Sequence, residues 1–89
     1  MWHQQVTIVN KLGLHARAAA KFVTVASRFE CEIVLARGQR QVNGKSIMGV
    51  MMLAASQGTP LDIIATGDDE REAVDKLVEL VQQRFGEAE

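Results

Sequence analysis

Apolar and polar residues change period several times along the chain, and glycine, asparagine, aspartate or the single proline marks the changes. From Gln4 to Val9, Val6 and Ile8 alternate with polar neighbours, the two-residue period of a strand with one buried face. Asn10-Lys11-Leu12-Gly13 makes its exit loop. From Ala16 to Arg28 the period lengthens. Ala16, Ala19, Ala20, Val23 and Ala26 share one stripe while Arg17, Lys21, Thr24 and Ser27 face away, predicting a helix of about thirteen residues, small enough along one side to lie close to a sheet. Cys31 to Ala36 is rich in β-branched and apolar residues, Gly38 punctuates a turn, and Arg40 to Val42 returns as a short antiparallel partner. Ser46 suits the N-cap of a second short helix reaching about Ala54, before Gly58-Thr59-Pro60. Leu61 to Thr66 reads as a strand. Ala73, Val74, Leu77, Val81 and Phe85 then form an amphipathic stripe, with Asp69 and Glu72 spaced as a capping box and Gly86 placed as C′. The order β-α-β-β-α-β-α predicts an α+β open-faced sandwich, a four-stranded antiparallel sheet with three helices on one face.

Composition narrows the setting. At 89 residues, 47% of them apolar, residues 1–89 are expected to form one domain with a proper core. Ten basic and eleven acidic residues give a formal charge of −1, with no run of either sign, which argues against nucleic acid as a partner. Met1-Trp2-His3-Gln4-Gln5 lacks the basic and apolar regions of a signal peptide, and no apolar run approaches the ~20 residues of a membrane span. A cytoplasmic protein without membrane insertion is expected. Cys31, the only cysteine, excludes an internal disulfide and reads as a small core residue.

Chemistry concentrates in Gly13-Leu14-His15-Ala16-Arg17. Neutral imidazole is a good nucleophile toward phosphorus, and an arginine two residues on can neutralise phosphoryl charge. If the helix begins at Ala16, its unpaired first-turn N–H groups lie beside His15, where the positive end of the dipole favours a dianion. Gly13 lets the chain turn without a Cβ penalty. The pattern suggests a phosphate carried on His15.

Two stretches at a fixed separation, Asn10-Lys11-Leu12-Gly13-Leu14-His15-Ala16-Arg17 and Asn43-Gly44-Lys45-Ser46-Ile47-Met48-Gly49, extend this reading. Over nearly all its length the chain resembles HPr, the histidine-containing phosphocarrier family of the bacterial phosphoenolpyruvate-dependent sugar phosphotransferase system. The resemblance implies that His15 accepts a phosphoryl group on Nδ1 from phosphorylated enzyme I and passes it to an enzyme IIA domain. Arg17 would assist both transfers, and the backbone of Ala16, Arg17 and Ala18 would hold the phosphate. The protein would then be a phosphoryl-transfer intermediate rather than a free-standing enzyme. Positioning and charge neutralisation dominate such transfer. No acidic residue lies within several positions of His15, so an exposed, mobile imidazole, not locked by a carboxylate, is expected. The family usually has proline where this chain has Ala18, which removes some pre-organisation of the helix start and adds a backbone donor.

Ser46 has a structural reading, the N-cap, and a regulatory one. In the family the matching serine is phosphorylated by an HPr kinase/phosphorylase, and a dianion there would disturb docking more than folding. Spacing puts Ile47, Val50 and Ala54 toward the core and leaves Met48, with Met51 and Met52, either packed or exposed. The resemblance favours a docking patch of Ile47, Met48 and Met51 for enzyme I, IIA domains and the kinase.

Other residues carry less. His3, expected in a frayed terminus, His15 and Cys31 lack any recognised ligand spacing, so neither metal nor cofactor is expected. Trp2 is read as covering an edge of the core. Gly44-Lys45-Ser46 has no upstream glycine at P-loop spacing, which rejects nucleotide binding. Lys45, Lys21 and Arg17 are expected to form a positive rim or to be simply solvated. A monomer is expected. Two other readings remain open: a purely regulatory module of a nitrogen-related or incomplete phosphotransferase system, and a small enzyme with His15 as nucleophile, disfavoured because the chain offers no second catalytic group.

Overall fold

The computed structural model describes every residue from Met1 to Glu89. Seven elements run in the order β1 (Trp2–Thr7), α1 (Ala16–Ala26), β2 (Glu32–Arg37), β3 (Arg40–Asn43), α2 (Ile47–Met52), β4 (Pro60–Thr66) and α3 (Glu70–Gln82), followed by a short 3-10 turn at Arg84–Gly86. The strands form one sheet in the order β1-β4-β2-β3 with every neighbouring pair antiparallel. The predicted α+β sandwich is the observed fold.

Register decides which side chains meet the helices. Gln4 pairs with Ile63, Ile63 with Leu35 and Leu35 with Val42, so these four form a row across one face of the sheet. A second row runs from Trp2 through Ala65 to Ile33. Ile33, Leu35, Leu61, Ile63 and Ala65 are buried on this face, against Phe22 of α1 and Val74, Leu77, Val78 and Val81 of α3, in a continuous core. Burying a side chain of this size contributes about 1.5–3 kcal/mol. The opposite sheet face carries no helix, which is why β2 and β4 alternate in burial.

Several boundaries and faces differ from expectation. β1 begins at Trp2 rather than Gln4 and ends at Thr7, with Ile8 continuing through its N–H to the Thr59 carbonyl and its own carbonyl to the Gly58 N–H. His3 therefore belongs to a strand, not a frayed end, and its Nε2 lies 2.9 Å from Asp62 on β4. Helix α1 ends at Ala26, and its buried face is Ala18, Ala19, Phe22 and Ala26, one position away from the predicted stripe; Ala16 is exposed. Phe22, the largest of these residues, sets the rotation of the helix. Helix α2 stops at Met52, and Ala54 lies beyond it, exposed and left-handed (φ 49°). Its last carbonyls are met by cations: Arg37 Nη1 donates to Leu53 and Ala54 at 2.9 and 3.1 Å, and Arg40 Nη1 donates to Met52 at 2.8 Å.

The capping box expected at α3 does not form. The Asp69 carboxylate instead accepts the N–H groups of Glu30 and Cys31 at 2.9 and 3.0 Å, fastening the α1–β2 connection to the start of α3. Phe85 is buried, but on the 3-10 turn rather than on α3, and Gly86 (φ 78°) closes that turn instead of serving as C′ of the helix.

Candidate functional site

The site is assembled on the loop from Asn10 to His15, which three contacts hold in place. Asn10 is wholly buried and its Nδ2 donates to the Gly13 carbonyl at 2.9 Å. Leu14 inserts into the core, and its N–H donates to the Ala55 carbonyl at 2.9 Å. Gly13 lies between them at φ 67°, and a Cβ there would sit 2.5 Å from that same Ala55 oxygen. Only glycine combines this conformation with so close an approach. The loop thereby delivers His15 to the N-cap of α1, with extended backbone.

The eleven-residue helix makes its first internal bond from the Ala19 N–H to the His15 carbonyl at 2.9 Å. The N–H groups of Ala16, Arg17 and Ala18 precede that bond and have no intrahelical acceptor. Ala16 and Arg17 are exposed; Ala18 is buried beneath them. Arg17 belongs to none of the ion pairs and is free to meet an anion.

His15 is not free of carboxylates. Its Nε2 is hydrogen-bonded to Oε2 of Glu87, a residue on the C-terminal tail, and its side chain is 29% exposed. Glu87 Oε1 also accepts from Asn10 Nδ2 at 3.0 Å. Burial pushes the Glu87 carboxyl up, but hydrogen bonds from His15 and Asn10, with the charges of His15 and Lys21, outweigh it and hold the group below the usual glutamate range. The expectation of an unlocked imidazole fails because the carboxylate comes from the far end of the chain, where sequence proximity gives no sign of it. The imidazole does not cap its own helix, so Nδ1 is left as the unengaged nitrogen.

Ser46 is the N-cap of α2, its Oγ accepting the Gly49 N–H at 3.1 Å. Helix α2 packs against α1, and Ile47, Met48, Met51 and Met52 are all exposed, Met48 at 73%. The core-facing residues are Val50 and Leu53, so Ile47 and Ala54 do not point inward as their spacing suggested. Leu12, on the His15 loop, is a large apolar side chain 68% exposed beside His15. The motif containing Asn10 and Leu12 gives neither residue a role of its own, and Glu87 lies outside both motifs.

The remaining candidates fall elsewhere. His3, His15 and Cys31 lie with three different carboxylates, Asp62, Glu87 and Asp69, and are not brought together. Trp2 lies on the helix side of β1 with the Arg71 guanidinium 4.8 Å from its ring centre. Lys45 and Lys21 are not a loose rim: their ammonium groups donate to the carbonyls of Phe29 and Phe85, each at 2.6 Å. No helix is long and apolar enough to cross a membrane.

With this geometry in place, comparison with known proteins gives a consistent picture. The profile of the family described as "PTS HPr component phosphorylation site" matches residues 2–83. The phosphocarrier protein HPr of Pseudomonas aeruginosa is 56% identical over 86 residues, 96% of each chain. That of Cupriavidus necator is 51% identical over 89 residues, the whole of both chains. Among solved structures, the crystal structure of HPr-C-His from Thermoanaerobacter tengcongensis superposes with a TM-score of 0.96 at 47% identity, covering all of both chains.

Proposed function

The chain belongs to the HPr family, the phosphocarriers of the phosphotransferase system, and on that premise we propose that His15 is the phosphoryl acceptor. In this reading Nδ1 takes the group from phosphorylated enzyme I and delivers it to an enzyme IIA domain. The observation that carries it is the placement of a partly exposed imidazole at the N-terminus of α1 with Nε2 engaged by Glu87 and Nδ1 unengaged.

The unpaired first-turn amides of Ala16, Arg17 and Ala18 supply donors and the positive end of the helix dipole, while the unpaired Arg17 supplies a mobile positive charge. Transfer through a loose, in-line transition state needs little beyond this positioning and charge neutralisation. Both partners must reach one nitrogen in turn, so the acceptor has to sit on an open surface beside a shared docking face. Ile47, Met48 and Met51, exposed on α2 next to α1, are that face in our reading, their flexible side chains suited to more than one partner. Ser46 lies at its edge, and phosphorylation there by an HPr kinase/phosphorylase would place a dianion against the docking residues. Residues 1–89 act as one domain, a cytoplasmic monomer.

Reconstitution tests the reading. With phosphoenolpyruvate, enzyme I and an enzyme IIA domain, phosphate is expected to reach the IIA domain only when this protein is present, and His15→Ala is expected to stop it. Equal IIA phosphorylation with His15→Ala would overturn the proposal.

A further inference from the structure

Helix α2 is short and lightly packed for the element that carries the docking residues. Of its six residues only Val50 is buried, while Ile47, Met48, Met51 and Met52 are exposed. A helix of this length does not persist on its own propensity, so its order depends on what holds its ends. Ser46 holds the first end. At the second, the carbonyls of Val50 and Met51 accept the N–H groups of Leu53 and Ala54 at 3.2 and 3.0 Å, and the next three carbonyls, of Met52, Leu53 and Ala54, accept no backbone donor. The β2–β3 hairpin meets them instead: Arg40 Nη1 donates to Met52 at 2.8 Å, and Arg37 Nη1 donates to Leu53 and Ala54 at 2.9 and 3.1 Å. These arginines stand directly opposite each other in the hairpin register, which is unfavourable for like charges, and neither belongs to an ion pair. The negative end of α2 offsets that repulsion. Ala54 moreover adopts a left-handed φ of 49°, which a residue with a Cβ rarely takes, and its carbonyl is one of the two that Arg37 holds. The next carbonyl, of Ala55, accepts the Leu14 N–H of the His15 loop at 2.9 Å. The stretch from Met52 to Ala55 is thus gripped by the hairpin on one side and bears the His15 loop on the other.

We propose that Arg37 and Arg40 are positioning residues for partner docking: by gripping the end of α2 they keep it folded and set its exposed apolar face at a fixed place relative to the His15 loop. The inference rests on Ile47, Met48 and Met51 being the docking face. A face already in its bound shape loses less conformational freedom when a partner covers it. Without the grip, α2 frays, partners find the face formed only part of the time, and apparent affinity falls by that fraction. The chemistry at Nδ1 is untouched, because neither arginine lines the depression that holds His15, Leu12 and Arg17.

The test compares wild type with Arg37→Met and Arg40→Met, singly and together, with both arginines changed to lysine, and with Met48→Asp. Three quantities are read: amide hydrogen exchange, steady-state phosphorylation by phosphorylated enzyme I, and phosphorylation of His15 by phosphoramidate, a small donor that needs no docking face. In the double methionine variant the amides of Val50, Met51 and Met52 are expected to exchange about tenfold faster while those of α1 and α3 hold, which also reports that the fold is intact. KM for enzyme I should rise about threefold to tenfold with kcat changed less than about twofold, and uptake from phosphoramidate should keep its wild-type rate. Each single variant should fall between. Lysine keeps the charge but lacks the planar fork, so the lysine pair should restore KM only in part. A raised KM with undisturbed α2 amides, restored fully by lysine, would mean that the arginines meet the partner as charges, and would overturn the inference. Faster α2 exchange with wild-type KM would overturn it as well. Wild-type KM in Met48→Asp would instead overturn the docking face beneath it.

Discussion

Replacing Gly13 by alanine separates two costs that a glycine position usually confounds. At φ 67° any residue with a Cβ is disfavoured, by about 1–2 kcal/mol. Here the added carbon would also stand 2.5 Å from the Ala55 carbonyl oxygen and 2.9 Å from Ser56 Cα, both backbone atoms that cannot rotate away. The loop has to lift, and lifting breaks the Leu14 N–H bond to that same oxygen, worth about 0.5–1.5 kcal/mol net, and loosens the burial of Leu14. A total of about 2–4 kcal/mol follows. For a domain of this size each kcal/mol lowers Tm by about 4–8 °C, so a fall of roughly 10 °C or more is expected in a circular-dichroism melt. Gly38 is the internal control. It has a similar φ of 59° but nothing within 4 Å of its would-be Cβ, and it lies in the β2–β3 turn. Gly38→Ala should therefore show the conformational cost alone and leave phosphoryl uptake unchanged, whereas Gly13→Ala should slow uptake because His15 rides on the displaced loop. If the two variants melt together and react alike, the close approach at Ala55 does not hold the site, and the reasoning fails.

Four further outcomes are expected. Ser46→Ala loses the bond from Gly49 N–H and about 1 kcal/mol, while Ser46→Asp keeps an acceptor there, melts near wild type and is phosphorylated at His15 more slowly; equal uptake rates would contradict the docking role. Ala18 donates no intrahelical bond, since the first comes from Ala19, so Ala18→Pro should change the transfer rate by less than about tenfold, and a gain of orders of magnitude in transfer kinetics would refute this. Burial, with Asp69 alongside, pushes the Cys31 thiol from 9.0 up to about 11; the folded protein should resist thiol reagents at pH 8, and its stability should be full below pH 9 and decline as pH rises through 11. The Asp69 carboxyl is held below its ordinary range, chiefly by the Glu30 N–H and then by Cys31. Its contribution is complete above the ordinary aspartate pKa and lost as pH falls through the lower folded value, so Asp69→Asn should flatten the acid limb of urea midpoints against pH.

Strand and helix identities were legible because each element has a clear period bounded by turn residues. The rotation of α1 was not. Its predicted stripe consists mostly of alanines, which carry little hydrophobic contrast, and the residue that decides the matter, Phe22, is buried with Ala18 one turn before it and Ala26 one turn after. Helix α2 misled for the opposite reason. It offers too many large apolar residues for a six-residue element, and which of them face inward depends on where α1 lies against it. His15, Arg17 and Ser46 could be picked from local sequence, since a helix start and its cap are local events. Glu87 could not, because its partner is 72 positions away and the return path depends on left-handed residues at Arg84 and Phe85, neither of which announces such a turn. Asp69 shows the same limit: its spacing with Glu72 fits a capping box, but the competing donors at Glu30 and Cys31 come from another part of the fold.

The most direct test is intact-mass spectrometry of this protein after incubation with phosphoenolpyruvate and enzyme I, beside His15→Ala. One acid-labile phosphoryl addition on the wild type and none on His15→Ala is the expected result. No addition to the wild type, or an equal addition to His15→Ala, would contradict the assignment of His15 as the phosphate carrier.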